Sequence, residues 1–133
     1  MRVTIPGSLA LGLAIGACAT NALSADRAPP PKAYVVAEIN VKDVVAYRDY
    51  VAAASPVIQA HGGKFLTRGG ASVAVEGTPP AERVMIIEFA SLDRAKAFEY
   101  SKEYREIAPL RQRSAESRLF IIEGTNDAAG SRP

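Results

Sequence analysis

Ala33–Asn40 (AYVVAEIN) leads into Asp43–Tyr50 (DVVAYRDY), and fifty residues later Arg83–Phe89 (RVMIIEF) leads into Asp93–Tyr100 (DRAKAFEY). Asp43, Asp49 and Tyr50 fall in step with Asp93, Glu99 and Tyr100. A β-branched apolar run followed by a mixed, helix-forming run marks a βα unit, and here the unit occurs twice. Strands with one wet face alternate apolar and polar residues. Val84-Met85-Ile86-Ile87 and Leu119-Phe120-Ile121-Ile122 do not alternate. Both faces of this sheet are therefore expected to be dry.

Working outward, Tyr34–Ile39 is the first strand, and Asp43 caps a helix with the stripe Val44, Tyr47, Val51, Ala54, Ile58 and His61. Ser55-Pro56 is expected to interrupt that helix, as a kink or a fresh N-cap, and His61-Gly62-Gly63 to stop it. Phe65–Arg68 and Val73–Glu76 read as short strands on either side of Gly69-Gly70, before a Thr78-Pro79-Pro80 loop. Val84–Phe89 is the strongest strand. Ser91 caps a helix that turns Leu92, Ala95 and Phe98 inward, and Ser101 caps a further turn ending before Pro109. Leu119–Ile122 closes the sheet.

This order predicts an α+β fold, a ferredoxin-like βαββαβ sandwich with an antiparallel sheet and its helices on one face. Two helices cover one side only. The other apolar side calls for a second copy related by two-fold symmetry, giving a homodimer in the form of a dimeric α+β barrel.

The ends have a different chemistry. Arg2 is the only charged group in residues 1–25, and Gly7–Ala19 is a short oily run, too short for a stable membrane span of about 20 residues. A cationic start, an apolar middle and small residues at the end read as a secretory signal peptide, with cleavage after Ala25 or Ala19. Ile15-Gly16-Ala17-Cys18 also resembles a bacterial lipobox, which makes Cys18 a lipidation candidate. The plainer alternative is that Cys18 is discarded with the signal. The expected location is the bacterial periplasm, or the membrane surface through a lipid on Cys18. Residues 26–32 (DRAPPPK) form a Pro-rich tether, residues 33–124 the domain, and residues 125–133 a disordered tail.

Composition excludes several classes. Sixteen basic and fourteen acidic residues are interspersed, so no stripe suited to nucleic acid exists, and Arg105–Arg118 is broken by Glu106 and Glu116. No cysteine follows position 18, so the mature domain has neither disulfide nor thiolate metal site. One histidine and no clustered carboxylates imply no metal centre, and no motif implies a cofactor.

A specific combination runs through the domain: Tyr47 and Tyr50, Gly62-Gly63, Arg68-Gly69-Gly70, Glu76-Gly77, Glu88-Phe89, Ser101 with Tyr104, Pro109-Leu110-Arg111, Ser117-Arg118 and Glu123-Gly124. From Ala33 to Gly124 the chain resembles the domain-of-unknown-function family DUF1330, small members of the dimeric α+β barrel superfamily. The resemblance implies a ferredoxin-like fold and a barrel-forming homodimer. It implies no reaction. The signal and the proline tether depart from the short members of that family.

Three sets of residues are candidates for ligand binding. Strand parity puts Val35, Ala37, Ile39, Phe65, Met85, Ile87 and Phe89 towards the helices, and Glu38, Arg68 and Glu88 together on the opposite face, between the two sheets of a dimer. There they are suited to a small polar ligand or to moving a proton, or they satisfy one another as an ion pair at the sheet edge. Tyr104 and Arg111 are seven residues apart, on one helix face if Pro109 is tolerated. They line a cavity mouth, or Tyr104 simply packs and Arg111 is solvated. His61 is the only imidazole, and some relatives in the wider superfamily bind haem or oxidise aromatics. A helix C-terminus also favours it structurally. The chain thus reads as an exported protein binding a small organic ligand in a cavity of a homodimeric barrel, with enzyme-like chemistry left open. The alternative is a non-catalytic structural or interaction module whose barrel is filled by its own side chains.

Overall fold

Four of the five apolar side chains between Ala33 and Ile39 point the same way. Ala33, Val35, Ala37 and Ile39 are buried while Tyr34, Val36 and Glu38 are half-buried, the period-two pattern of a central strand. The structure, a computed structural model, describes residues 27–126. The signal peptide expected over residues 1–25, the lipidation candidate Cys18 and residues 127–133 of the expected tail lie outside the described residues.

The elements run β1 (Ala33–Val41), α1 (Val44–Ala60), β2 (Lys64–Arg68), β3 (Arg83–Phe89), α2 (Leu92–Glu99), α3 (Lys102–Ser114) and β4 (Ala115–Glu123). All pairings are antiparallel in a four-stranded sheet of order β2-β3-β1-β4. This is the ferredoxin-like α+β fold that the sequence predicts. The core lies between the sheet and the helices: Val35, Ile39, Ile87 and Phe89 meet Tyr47, Ala54, Ile58, Phe98 and Tyr104. Each fully buried large side chain contributes about 1.5–3 kcal/mol.

Caps define the helices where the sequence places them. The Asp43 carboxylate accepts from the Ala46 N–H at 3.0 Å, Ser91 Oγ from Arg94 N–H at 3.2 Å, and Ser101 Oγ from Tyr104 N–H at 3.2 Å. At the end of α1, Gly62 takes φ +80° and the Gly63 N–H reaches back to the Ile58 carbonyl at 2.9 Å. Gly63 is there for space as well. A Cβ on it would meet Ile58 Cγ2 at 2.6 Å and Phe89 Cζ at 2.9 Å, so the helix end can lie against the sheet only without one.

Four details differ from the sequence reading. Helix α1 runs unbroken through Ser55-Pro56, because burial of its packed stripe outweighs the lost proline donor; Ser55 Oγ meanwhile donates to the Val51 carbonyl at 2.8 Å. Its stripe begins at Tyr47 and includes Tyr50, while Val44 is 57% exposed. Helix α3 does not end before Pro109 but continues to Ser114. Val73–Glu76 forms no strand among the described residues; the chain from Gly70 to Pro80 is exposed and unpaired.

The outer face of the sheet carries no helix. Ile86, Val36 and Phe120 lie in one row across β3, β1 and β4, with Tyr34 beside Ile122. Phe120 and Ile122 are 42% and 52% exposed.

Candidate functional site

Strand β2 carries a bulge that rearranges the expected site. Phe65 pairs with Ile87, yet Thr67 pairs with Ile86 and Arg68 with Met85, which leaves Leu66 as the extra residue. Thr67 Oγ1 repairs the ladder, donating to the Val84 carbonyl and accepting from the Ile86 N–H, each at 2.9 Å. The slip moves Arg68 to the helix side. The predicted grouping of Glu38, Arg68 and Glu88 on one face therefore does not exist. Glu38 pairs with Arg118 and Glu88 with Lys32, at 2.8 Å for the latter, as partners on the outer face.

Arg68 instead stands at the mouth of an interior cavity of about 60 Å³. Its guanidinium lies 4.0 Å over the Phe65 ring and donates to Ser55 Oγ at 3.1 Å. Val35, Ala37 and Ile39 of β1 form the floor, with Met85 and Ile87 of β3. Tyr47 and Tyr50 of α1, Phe98 and Glu99 of α2, and Tyr104 of α3 form the roof. Arg83 also lines the wall, its guanidinium 5.6 Å from the centre of the Tyr47 ring.

The polar end of this cavity is built by the α2–α3 junction. Ser101 Oγ donates to the Phe98 carbonyl at 2.7 Å while capping α3, so the chain turns sharply between Glu99 and Tyr104. Tyr104 and Tyr50 then join their hydroxyls at 3.1 Å. Continuation of α3 through Pro109 brings Arg111 onto the face of Tyr104, buried, with its guanidinium 5.9 Å from the Tyr50 ring centre. Arg111 donates to Ser117 Oγ, but its Nε has no partner. Two further buried atoms lack partners, Glu99 Oε1 and Arg83 Nε, and both residues line the cavity.

Burial sets the protonation of this end. Loss of water pushes the Glu99 carboxyl up to about 7, with the Arg111 charge pulling only partly the other way. Burial first, and then Tyr104, raises the Tyr50 hydroxyl well above the ordinary tyrosine range. Burial disfavours the charge on Arg111, yet the Tyr104 and Tyr50 hydroxyls beside it more than offset this, and it titrates above the usual arginine value. The polar end of the cavity thus combines the Tyr50 and Tyr104 hydroxyls, the Arg111 cation behind them and a carboxyl that changes charge near neutrality. Such a set can hold a small polar group and exchange a proton with it.

Residues 32–125 match the model of a family described as a domain of unknown function, DUF1330. The chain belongs to that family. No curated protein matches it. Among solved structures, a protein of unknown function from Rhodopseudomonas palustris is 21% identical, with a TM-score of 0.59 over 72% of this chain and 84% of that one. SnoaB, a cofactor-independent oxygenase from Streptomyces nogalater, is 11% identical with a TM-score of 0.53, over 74% of this chain and 98% of that one. These likenesses concern the fold.

In this DUF1330 chain, then, Arg68 and Tyr104 line the cavity and Arg111 stands behind it, while Glu38 and Glu88 are on the other side of the sheet. His61 caps α1 outside the cavity lining, edge-on to Phe98 at 5.9 Å and 3.9 Å from a Glu103 oxygen. Glu99 and Arg83 escaped the sequence reading. The signal for Glu99 is its spacing, seven residues after Leu92 and four after Ala95, on the stripe that packs inward.

Proposed function

We propose that this protein is an exported homodimer that binds a small organic ligand in the cavity between sheet and helices of each protomer. One observation carries the reading: Glu99 Oε1 and Arg83 Nε are buried without partners in the wall of a largely apolar cavity. Buried polar groups left unpaired are costly, by about 1–3 kcal/mol each, unless a ligand or water completes them. Arg68 is placed to close over an entering molecule or to grip an acidic group on it. The apolar row Ile86, Val36 and Phe120 supports pairing through the outer face, since ion pairs at Glu38–Arg118 and Lys32–Glu88 frame it as a polar rim frames an interface.

Aromatic, quinone and carboxylate compounds form the first ligand panel. An engineered cavity of about 150 Å³ takes benzene. This one, at about 60 Å³, is smaller, so a ring needs a lining side chain to move, and Arg68, itself exposed, is the one proposed to do so. A binder is expected to raise the melting temperature of the wild type. Arg68→Ala should weaken a carboxylate binder by about tenfold or more, the loss of one charge-assisted hydrogen bond. The small volume also favours the second reading, a barrel filled by its own side chains with a structural or interaction role. A panel that leaves wild-type melting unmoved supports that reading instead.

Export makes a separate prediction. Intact-mass analysis of the protein recovered from an expressing bacterium should show Asp26 as the first residue, with cleavage after Ala25. An acylated Cys18 at the N-terminus would establish lipid anchoring, and a retained Met1 would exclude export.

A further inference from the structure

The segment after Gly69 has a strand's sequence and no strand's partner. Ser72-Val73-Ala74-Val75-Glu76 alternates β-branched residues, the pattern of a half-buried strand. Val73 and Val75 are 84% and 93% exposed. Between the Gly69 N–H, bonded to the Val84 carbonyl at 3.1 Å, and the Glu82 N–H, bonded to Asn40 Oδ1 at 3.0 Å, no backbone group bonds to another described residue. Gly69 and Gly77, at φ +76° and +74°, mark its two ends, and Pro79-Pro80 stiffens the return.

Its position says what it meets. Thr78, Pro79 and Ala81 stand across an open groove of about 500 Å³ from Glu38, Asn40 and Arg118. Glu38 and Arg118 belong to the outer face, so the return of the loop over residues 78–81 lies on the side of the sheet that carries the uncovered Val36, Ile86 and Phe120. A second copy laid on that face would meet the loop that carries the exposed Val73 and Val75.

We propose that residues 72–76 are a docking strand for a second copy of this chain: the two valines pack against that copy, and the extended backbone adds to one of its open strand edges. The proposal rests on the homodimer reading above. A lipid surface is disfavoured, because residues 70–82 contain Glu76 and Glu82 and no basic residue. A two-fold pair answers two needs of one protomer at once, the bare sheet face and the unpaired strand.

The test uses sedimentation velocity over a dilution series. Wild type should sediment as a dimer at micromolar concentration. Val73→Ser with Val75→Ser should raise the dissociation constant at least tenfold with an unchanged far-ultraviolet circular dichroism spectrum, while Val73→Ile with Val75→Ile should hold it near wild type. Phe120→Arg should abolish the dimer through the face itself. Backbone amides of residues 72–76 should exchange slowly in the dimer. A wild type that is monomeric would overturn the homodimer reading. A dimer indifferent to the serine pair, or with freely exchanging amides at residues 72–76, would overturn the docking strand and leave the face-to-face pairing standing.

Discussion

Phe98→Ala should destabilise the fold by about 3–5 kcal/mol, the range for removing a buried phenylalanine from a core that cannot collapse around the gap. Phe98 is 1% exposed and touches every layer. Its ring stacks on Phe89 of the sheet at 5.3 Å, tilts against Tyr104 of α3 at 4.5 Å, and meets the edge of His61 at 5.9 Å. Each aromatic pair adds about 0.5–1.5 kcal/mol beyond burial. Collapse is hindered because α2 is held at both ends, by the Ser91 cap and by the Ser101 hydroxyl on the Phe98 carbonyl. Val45→Ala, on the same helical layer but 71% exposed, should change stability by no more than about 0.5 kcal/mol. Urea unfolding at fixed protein concentration measures both. A loss below about 1 kcal/mol for Phe98→Ala would mean that the helices do not depend on this contact, and the account of the core would be wrong.

The residues that make Phe98 central are legible in the sequence, and those that make the site are only partly so. Inward strand faces follow from a period of two, and the caps at Asp43, Ser91 and Ser101 follow from local hydrogen bonding. Neither needs information from distant residues. Arg68 is different. Its side depends on whether β2 keeps register, and the register is broken by Leu66, a residue that looks like its neighbours. One bulge reverses the parity of everything after it, so a correct strand gives a wrong site. Pro109 misleads in the opposite sense. Local chemistry says that the helix stops, but burial of Tyr104, Arg111 and Ser114 on one face outweighs one missing donor. Val73–Glu76 shows the third kind of gap: a strand pattern states a preference, and satisfying it takes an edge that these residues do not find within their own protomer.

Glu99→Gln should make the protein more stable at pH 8, by about 3 kcal/mol, and should leave it nearly unchanged at pH 4. The sign follows from where protons bind. An unfolded chain releases the Glu99 proton near 4.5, whereas the folded protein holds it up to about 7. Between those values the folded state binds more protons, so raising the pH disfavours folding; below about 4.5 both states are protonated and the penalty vanishes. Arg111 pulls the carboxyl downward but does not overcome burial, so above pH 7 the fold carries an under-solvated anion. Glutamine keeps the shape and is never charged. Melting curves of both proteins from pH 4 to 8 should therefore converge at the acid end and separate most steeply between about 4.5 and 7. Curves that remain parallel would show that Glu99 is hydrated, and the cavity would lose its titrating group. A side chain that weakens its own fold at neutral pH has no structural reason to be there. If the gap opens as expected, the same titration repeated with a bound compound from the ligand panel becomes informative: a ligand that donates to the Glu99 carboxylate should close the gap at pH 8, because it supplies the hydrogen bond that water cannot.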